Sequence, residues 1–206
     1  MTAIYDETAA LQLDRAAQDL LFRQARTANA FTDEPVTDDQ VRAIYDLVKY
    51  APTAMNQQPL RMVLVRTPQA RAALVEAVSE GNRAKTAAAP LVAILAADVE
   101  FHEELPRVFP HFPGAKALFE GDDAARARTA TFNAALQIGY FILGVRAAGL
   151  AAGPMTGIDA AAIDRRFFPD GAHRTLAVVN LGKPAAEGAW FDRLPRLDYD
   201  EVVTTA

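Results

Sequence analysis

Apolar residues recur at helical spacing over residues 7–26, where Leu13, Ala16, Ala17, Leu20, Leu21 and Gln24 share one face. A first helix is predicted there. Thr37 and Gln40 stand at capping-box spacing before a second helix that carries Val41, Ile44, Tyr45 and Val48, and Pro52 stops it. The segment 61–66, apolar over 62–65 between Arg61 and Arg66, and the apolar run 91–96 read as buried strands. Between them Thr67-Pro68 opens a helix through Val78, with proline in the tolerated first turn. Residues 101–121 hold Pro106, Pro110, Pro113, Gly114 and Gly121, which predicts an irregular insertion or a short helix within a loop. Such segments inside compact domains often serve as lids. The longest helix is expected over 122–148. Its second half carries Phe132, Ala135, Leu136, Tyr140, Phe141 and Leu143 around most of its circumference, which predicts a central, buried position, and Gly149 ends it. A short strand over 150–153 follows, then a helix from Asp159 to Phe168 and a buried strand over 176–181. The tail from Lys183 reads as loop, with a last helical piece from Asp198. This order predicts an α+β chain, a three-layer sandwich with few strands and heavy helical cover.

Composition narrows the picture. A chain of 206 residues with 51% apolar and 23% charged residues supports one cored domain over 1–206. Alanine forms much of the apolar share, which favours helix. A net charge of −5 argues against general nucleic-acid binding. The chain has no cysteine, which excludes disulfides, thiolate zinc sites, iron–sulfur clusters and a Cys nucleophile. No His pair stands at i, i+4, so no metal site is expected; His102, His111 and His173 read as surface or packing residues. Asp6, Glu7 and Asp14 interrupt any export-signal pattern, and the run 87–97 is too short to span a bilayer. A soluble, cytoplasmic chain without a membrane partner is expected.

Five segments could carry chemistry. Arg26, Thr27 and Asn29 follow the first helix, and an Arg beside a hydroxyl and an amide can hold phosphate. Pro52, Thr53, Ala54, Asn56, Gln57, Gln58 and Pro59 form a proline-bounded loop dense in neutral donors and acceptors, suited to a polar heteroaromatic ligand. Asn82 and Lys85 share a face if helical, where an amide beside a cation can read a ring carbonyl. Gly153, Pro154, Met155, Thr156 and Gly157 follow a strand and allow close backbone approach. Arg193 and Arg196 flank a Leu-Pro and can clamp an anion. Taken singly, each segment is equally an ordinary loop or a solvated surface.

In this order the five segments resemble the FMN-dependent nitroreductase family, over nearly the whole chain. Leu60, Asn29 and Thr156 depart from its common pattern. Together with Phe101-x-Glu103-x-Leu105-Pro106, Phe109-Pro110-His111 and Arg193-Leu194-Pro195-Arg196-Leu197, they resemble its malonic semialdehyde reductase branch. The resemblance implies a three-layer α-β-α sandwich, an intertwined homodimer and FMN sites built from both chains. NADPH or NADH would visit the flavin transiently, in keeping with the lack of a G-x-G-x-x-G fingerprint. By matching, Arg26, Arg193 and Arg196 would hold the FMN phosphate, with Thr27 and Asn29 assisting. Pro52, Thr53, Ala54 and Asn56 would wall the partner's flavin. Asn82 and Lys85 would contact the pyrimidine edge, with Lys85 the nearest to a catalytic residue. The backbone of Pro154, Met155, Thr156 and Gly157 would face the reactive edge. The implied reaction reduces malonic semialdehyde, a small anionic aldehyde from pyrimidine degradation, to 3-hydroxypropionate. A nitroaromatic or quinone reductase on the same scaffold would share every flavin residue, and a flavin-free interaction protein would leave the five segments as plain loops.

Overall fold

The computed structural model describes residues 11–206. Residues 7–10 of the expected first helix lie outside them. Within them the helix begins later than the pattern suggested. Asp14 accepts from Ala17 N at 2.8 Å and caps α1, Arg15–Gln18. The chain then widens into a π turn over Asp19–Arg23. Four further elements follow the expected plan. They are α2 (Asp38–Val48), β1 (Leu60–Val65), α3 (Pro68–Glu76, capped by Thr67) and β2 (Leu91–Asp98). Both capping-box bonds of α2 form, with Thr37 N on Gln40 Oε1 at 2.9 Å and Gln40 N on Thr37 Oγ1 at 3.2 Å.

A helix that the pattern did not show, α4 (Glu80–Ala88), stands between α3 and β2. Its single buried residue is Thr86, so no apolar stripe marks it. The 101–121 insertion contains short 3-10 turns at Phe101–Glu104 and Lys116–Phe119 around α5, Leu105–Val108. Then come α6 (Asp123–Ala147), β3 (Ala151–Met155), α7 (Ala160–Phe167), β4 (His173–Gly182) and α8 (Tyr199–Val202). Gly153, Pro154 and Met155 therefore lie inside β3 rather than after it.

The sheet is wholly antiparallel in the order β1-β2-β4-β3. Pro154 is tolerated because β3 is an edge strand, whose outward side needs no N–H donor. Residues alternate across β2. Leu91, Ala93 and Leu95 meet Ile44 and Val48 of α2 and Phe141 and Val145 of α6. Val92, Ile94 and Ala96 meet Leu74 of α3 and Ile163 of α7. Helices on both faces explain why β2 reads as an unbroken apolar run, and they make three layers. Gly144 lets α2 pack closely on α6, since a Cβ there would lie 2.3 Å from Val48 Cγ1.

Within a single chain α6 is covered over only part of its circumference. Ala130, Ala134, Phe141 and Val145 face the core, whereas Phe132 (65% exposed), Leu136 (41%) and Tyr140 (42%) form an open stripe at four-residue spacing.

Candidate functional site

Four of the five segments converge beside edge strand β3. Ala28 N donates to Ala152 O at 3.0 Å and Asn29 N to Ala189 O at 3.0 Å, which lays the 26–29 segment between β3 and the C-terminal tail. Gly153 permits this approach, because a Cβ there would come 2.5 Å from Ala28 O. Lys85, on α4, donates from Nζ to Asn29 Oδ1 at 3.3 Å. Asn82, one turn earlier, donates from Nδ2 to Ser79 Oγ at 3.0 Å and to Gly157 O at 3.2 Å. A Cβ on Gly157 would meet Ser79 Oγ at 2.8 Å and Asn82 Nδ2 at 3.1 Å, so a side chain there would displace this pair. Thr156 and Gly157 are exposed beyond β3, while the Met155 side chain is buried in the core, so any ligand contact there is made by backbone.

Arg26, Arg193 and Arg196 line a cavity of about 240 Å³ with Thr27, Asn29, Phe191 and Asp192. Arg26 Nη1 donates to Phe191 O at 3.1 Å. Arg193 Nη2 donates to Arg23 O at 2.6 Å and Ala25 O at 3.1 Å. Arg196 Nη1 donates to Leu194 O at 2.9 Å. Their acceptors are neutral carbonyls; among the described residues none of these three guanidinium groups has a carboxylate partner. Three guanidinium groups against the single Asp192 carboxylate leave this concavity with a net positive lining, which suits a phosphoryl anion.

A fourth arginine was not anticipated from the sequence. Arg146, near the end of α6, donates from Nη1 to Leu21 O at 3.1 Å. Burial, and secondarily the charge of Arg193, hold its guanidinium pKa below the ordinary value. A basic residue in a last helical turn is common for dipole reasons, so nothing in the pattern distinguished it.

The second segment lies elsewhere. Pro52, Thr53, Asn56 and Gln58 line a separate concavity with Tyr45, Lys49 and Tyr50. Three of its non-glycine residues are left-handed: Met55 (φ 50°), Asn56 (φ 52°) and Gln58 (φ 46°). Such a conformation costs on the order of 1–2 kcal/mol per residue, less for Asn. Groups outside the loop hold it. Asn133 Oδ1 accepts from Ala54 N at 2.8 Å, and Gln137 Oε1 accepts from Leu60 N at 2.9 Å. Asn56 Nδ2 donates to Val108 O at 2.8 Å, which fastens the loop to the 101–121 insertion. Sequence reasoning missed Asn133 and Gln137; buried amides at i, i+4 on an otherwise apolar helix were the available signal.

The profile of the Nitroreductase family matches residues 22–183. The chain belongs to the nitroreductase family. It is 67% identical over 195 residues to a Streptomyces coelicolor protein named as a NADH dehydrogenase/NAD(P)H nitroreductase, covering 95% of this chain and 98% of that one. A Stenotrophomonas maltophilia protein of the same name is 49% identical over 194 residues, covering 94% and 98%. The fold is similar to that of the nitroreductase ydfN from Bacillus subtilis, with TM-score 0.84 and 22% identity over 93% of this chain and 99% of that one. It is also similar to a nitroreductase from Exiguobacterium sibiricum solved in complex with FMN, with TM-score 0.82 and 15% identity over 92% and 96%. Among the described residues no helix is long and apolar enough to cross a membrane.

Proposed function

We propose that the protein is an FMN-dependent NAD(P)H oxidoreductase acting as a homodimer. The observation that carries this reading is the meeting of Arg26, Arg193 and Arg196 in one cavity, with the Lys85–Asn29 and Asn82–Gly157 hydrogen bonds beside it. The donor set fits FMN. The arginines, with Thr27 and Asn29, would hold its phosphate; Asn82 and Lys85 would read the polar edge of its ring; the backbone of Pro154, Met155, Thr156 and Gly157 would offer the ring close approach. Bound FMN supplies two-electron transfer from a nicotinamide to an acceptor. The Lys85 ammonium favours negative charge on the ring edge it faces. Pro52, Thr53, Ala54 and Asn56 stand apart from this group, which fits a wall offered to the flavin of a second chain. The open stripe of Phe132, Leu136 and Tyr140 is the surface on which that chain packs.

For the acceptor we propose malonic semialdehyde, reduced to 3-hydroxypropionate. Its support is the resemblance of residues 101–111 and 193–197 to the branch with that activity. The NAD(P)H nitroreductase names of the curated relatives favour a nitro acceptor instead. The test is anaerobic: reduce the purified protein with NADPH or NADH, then add malonic semialdehyde or a nitroaromatic in parallel. Faster reoxidation by the semialdehyde supports the first acceptor, and reoxidation by the nitroaromatic alone supports the second. A protein that takes up no flavin defeats both.

A further inference from the structure

We propose that Asn133 is the positioning residue of the flavin-facing loop, an inference that rests on the function proposed above. The loop from Pro52 to Pro59 is a poor conformer by itself. Met55, Asn56 and Gln58 are all left-handed, and none is glycine. Its internal bonds are short-range: Asn56 N to Thr53 O at 3.1 Å, Gln57 N to Ala54 O at 3.1 Å and Gln58 N to Thr53 Oγ1 at 3.2 Å. Turns of this kind also form with ordinary right-handed residues, so they do not select the observed path.

Asn133 does select it. The residue is 2% exposed and its whole amide is engaged. Oδ1 accepts from Ala54 N at 2.8 Å; Nδ2 donates to Gln57 Oε1 at 2.9 Å and to Thr129 O at 3.0 Å. The orientation of the amide is fixed chemically. Turning it over would set oxygen against the Thr129 carbonyl and N–H against the Ala54 N–H. Gln57, also 2% exposed, can therefore meet Asn133 only as an acceptor. Ala54 and Gln57 bracket Met55 and Asn56, so the two bonds hold the left-handed pair from either side. A relaxed loop would strip the buried Asn133 Oδ1 of the Ala54 N–H and the buried Gln57 Oε1 of its Asn133 donor, and that penalty keeps the strained path. Gln137, one helical turn on, pins Leu60 N, where the loop becomes β1. The consequence is positional. Thr53, Ala54 and Asn56 reach the ring of the flavin only while Asn133 holds the loop, although Asn133 itself touches no ligand.

The experiment titrates deflavinated full-length protein with FMN and, separately, with riboflavin, following flavin fluorescence. Asn133→Ala is expected to raise both dissociation constants by the same factor, 10-fold or more, because the ring wall is shared and the phosphate site is untouched, and to shift the absorption spectrum of the bound flavin while the variant stays folded and keeps the wild-type oligomeric state. Wild-type constants for both flavins overturn the assignment. So does a change confined to FMN, which would put Asn133 at the phosphate end. Should Asn133→Ala fail to fold, Gln57→Met carries the test: it removes one of the two bonds, and a parallel weakening of both flavins is expected. Unaltered binding in Gln57→Met overturns the proposal. A wild-type protein that binds neither flavin overturns the functional reading itself, and the positioning role with it.

Discussion

Lys85 Nζ lies 3.3 Å from Asn29 Oδ1, joining α4 to the segment after the first helix across 56 sequence positions. The contact leaves the ammonium with a neutral partner rather than a carboxylate, so its charge remains free to act on a ligand. Lys85→Met keeps the aliphatic stem and removes the charge. Flavin reduction by NADPH should slow by about 10-fold or more, as when one donor to developing charge is lost. Thermal stability should change by no more than about 0.5 kcal/mol, as for partly exposed substitutions. Stopped-flow reduction beside a melting curve checks both; unchanged reduction would remove Lys85 from the flavin edge.

Arg193 holds the carbonyls of Arg23 and Ala25, and Arg26 follows directly. Its loss should remove one cation from the cavity and loosen the seat of another. Arg193→Ala should therefore weaken FMN by roughly 10-fold while leaving riboflavin nearly unaffected, since charge-assisted bonds act on the phosphate alone. The FMN deficit should shrink as salt is raised, because an exposed site is screened. Parallel titrations at two ionic strengths give the answer.

Much of this arrangement was legible in the chain. The Thr37–Gln40 box, Thr67-Pro68 and Asp159 each cap a helix as their chemistry suggested, because capping is local. The segments near Arg26, Asn82, Gly153 and Arg193 could be named from order and residue type. Their convergence could not, because it depends on β3 lying at the sheet edge with the 26–29 segment along it. α4 was missed because a helix with one buried residue has no stripe. β4 starts earlier than its apolar run because His173, Arg174 and Thr175 pair with Asp98, Ala97 and Ala96 despite being polar. The left-handed loop was invisible because Met, Asn and Gln give no glycine signal for positive φ.

The stripe of Phe132, Leu136 and Tyr140 has no cover within the described chain. Leu136→Glu puts a charge in the middle of it while remaining a good helix former. The expected outcome is a shift to monomer in sedimentation velocity, with flavin binding lost in parallel, because the Pro52–Pro59 wall would come from the second chain. A dimer that survives Leu136→Glu would move the interface elsewhere, and a monomer that keeps FMN would make the site a one-chain site.

Gly144 tests the packing of α2 on α6. An added methyl would lie 2.3 Å from Val48 Cγ1 and 3.2 Å from Ile44 Cγ2, whereas a methyl on Gly139 meets nothing within 4 Å. Gly144→Ala should destabilise by about 1–3 kcal/mol through overpacking, despite the helix-propensity gain. In the isolated chain Gly139→Ala should be neutral or stabilising by up to about 1 kcal/mol. Chemical denaturation of both variants separates the two effects, and equal midpoints would mean that α2 yields freely.

The 101–121 insertion carries a pH-dependent tie. Glu103 Oε2 accepts from Lys116 Nζ at 2.7 Å. That bond holds the Glu103 carboxyl below its ordinary pKa and the Lys116 ammonium above its own. For the carboxyl, the stabilisation is present above the unfolded value of about 4.3 and is lost as pH falls through the lower folded value. For the ammonium, it is present below about 10.4 and is lost as pH rises through the higher folded value. The pair therefore works across the neutral range and fades at both ends. Both side chains reach solvent, so the effect is small and salt-sensitive. Lys116→Met should lower the melting temperature slightly from roughly pH 4.3 to 10.4, and the difference from wild type should close below and above that window. A difference that stays constant with pH would assign the effect to the lysine stem packing against the insertion rather than to its charge.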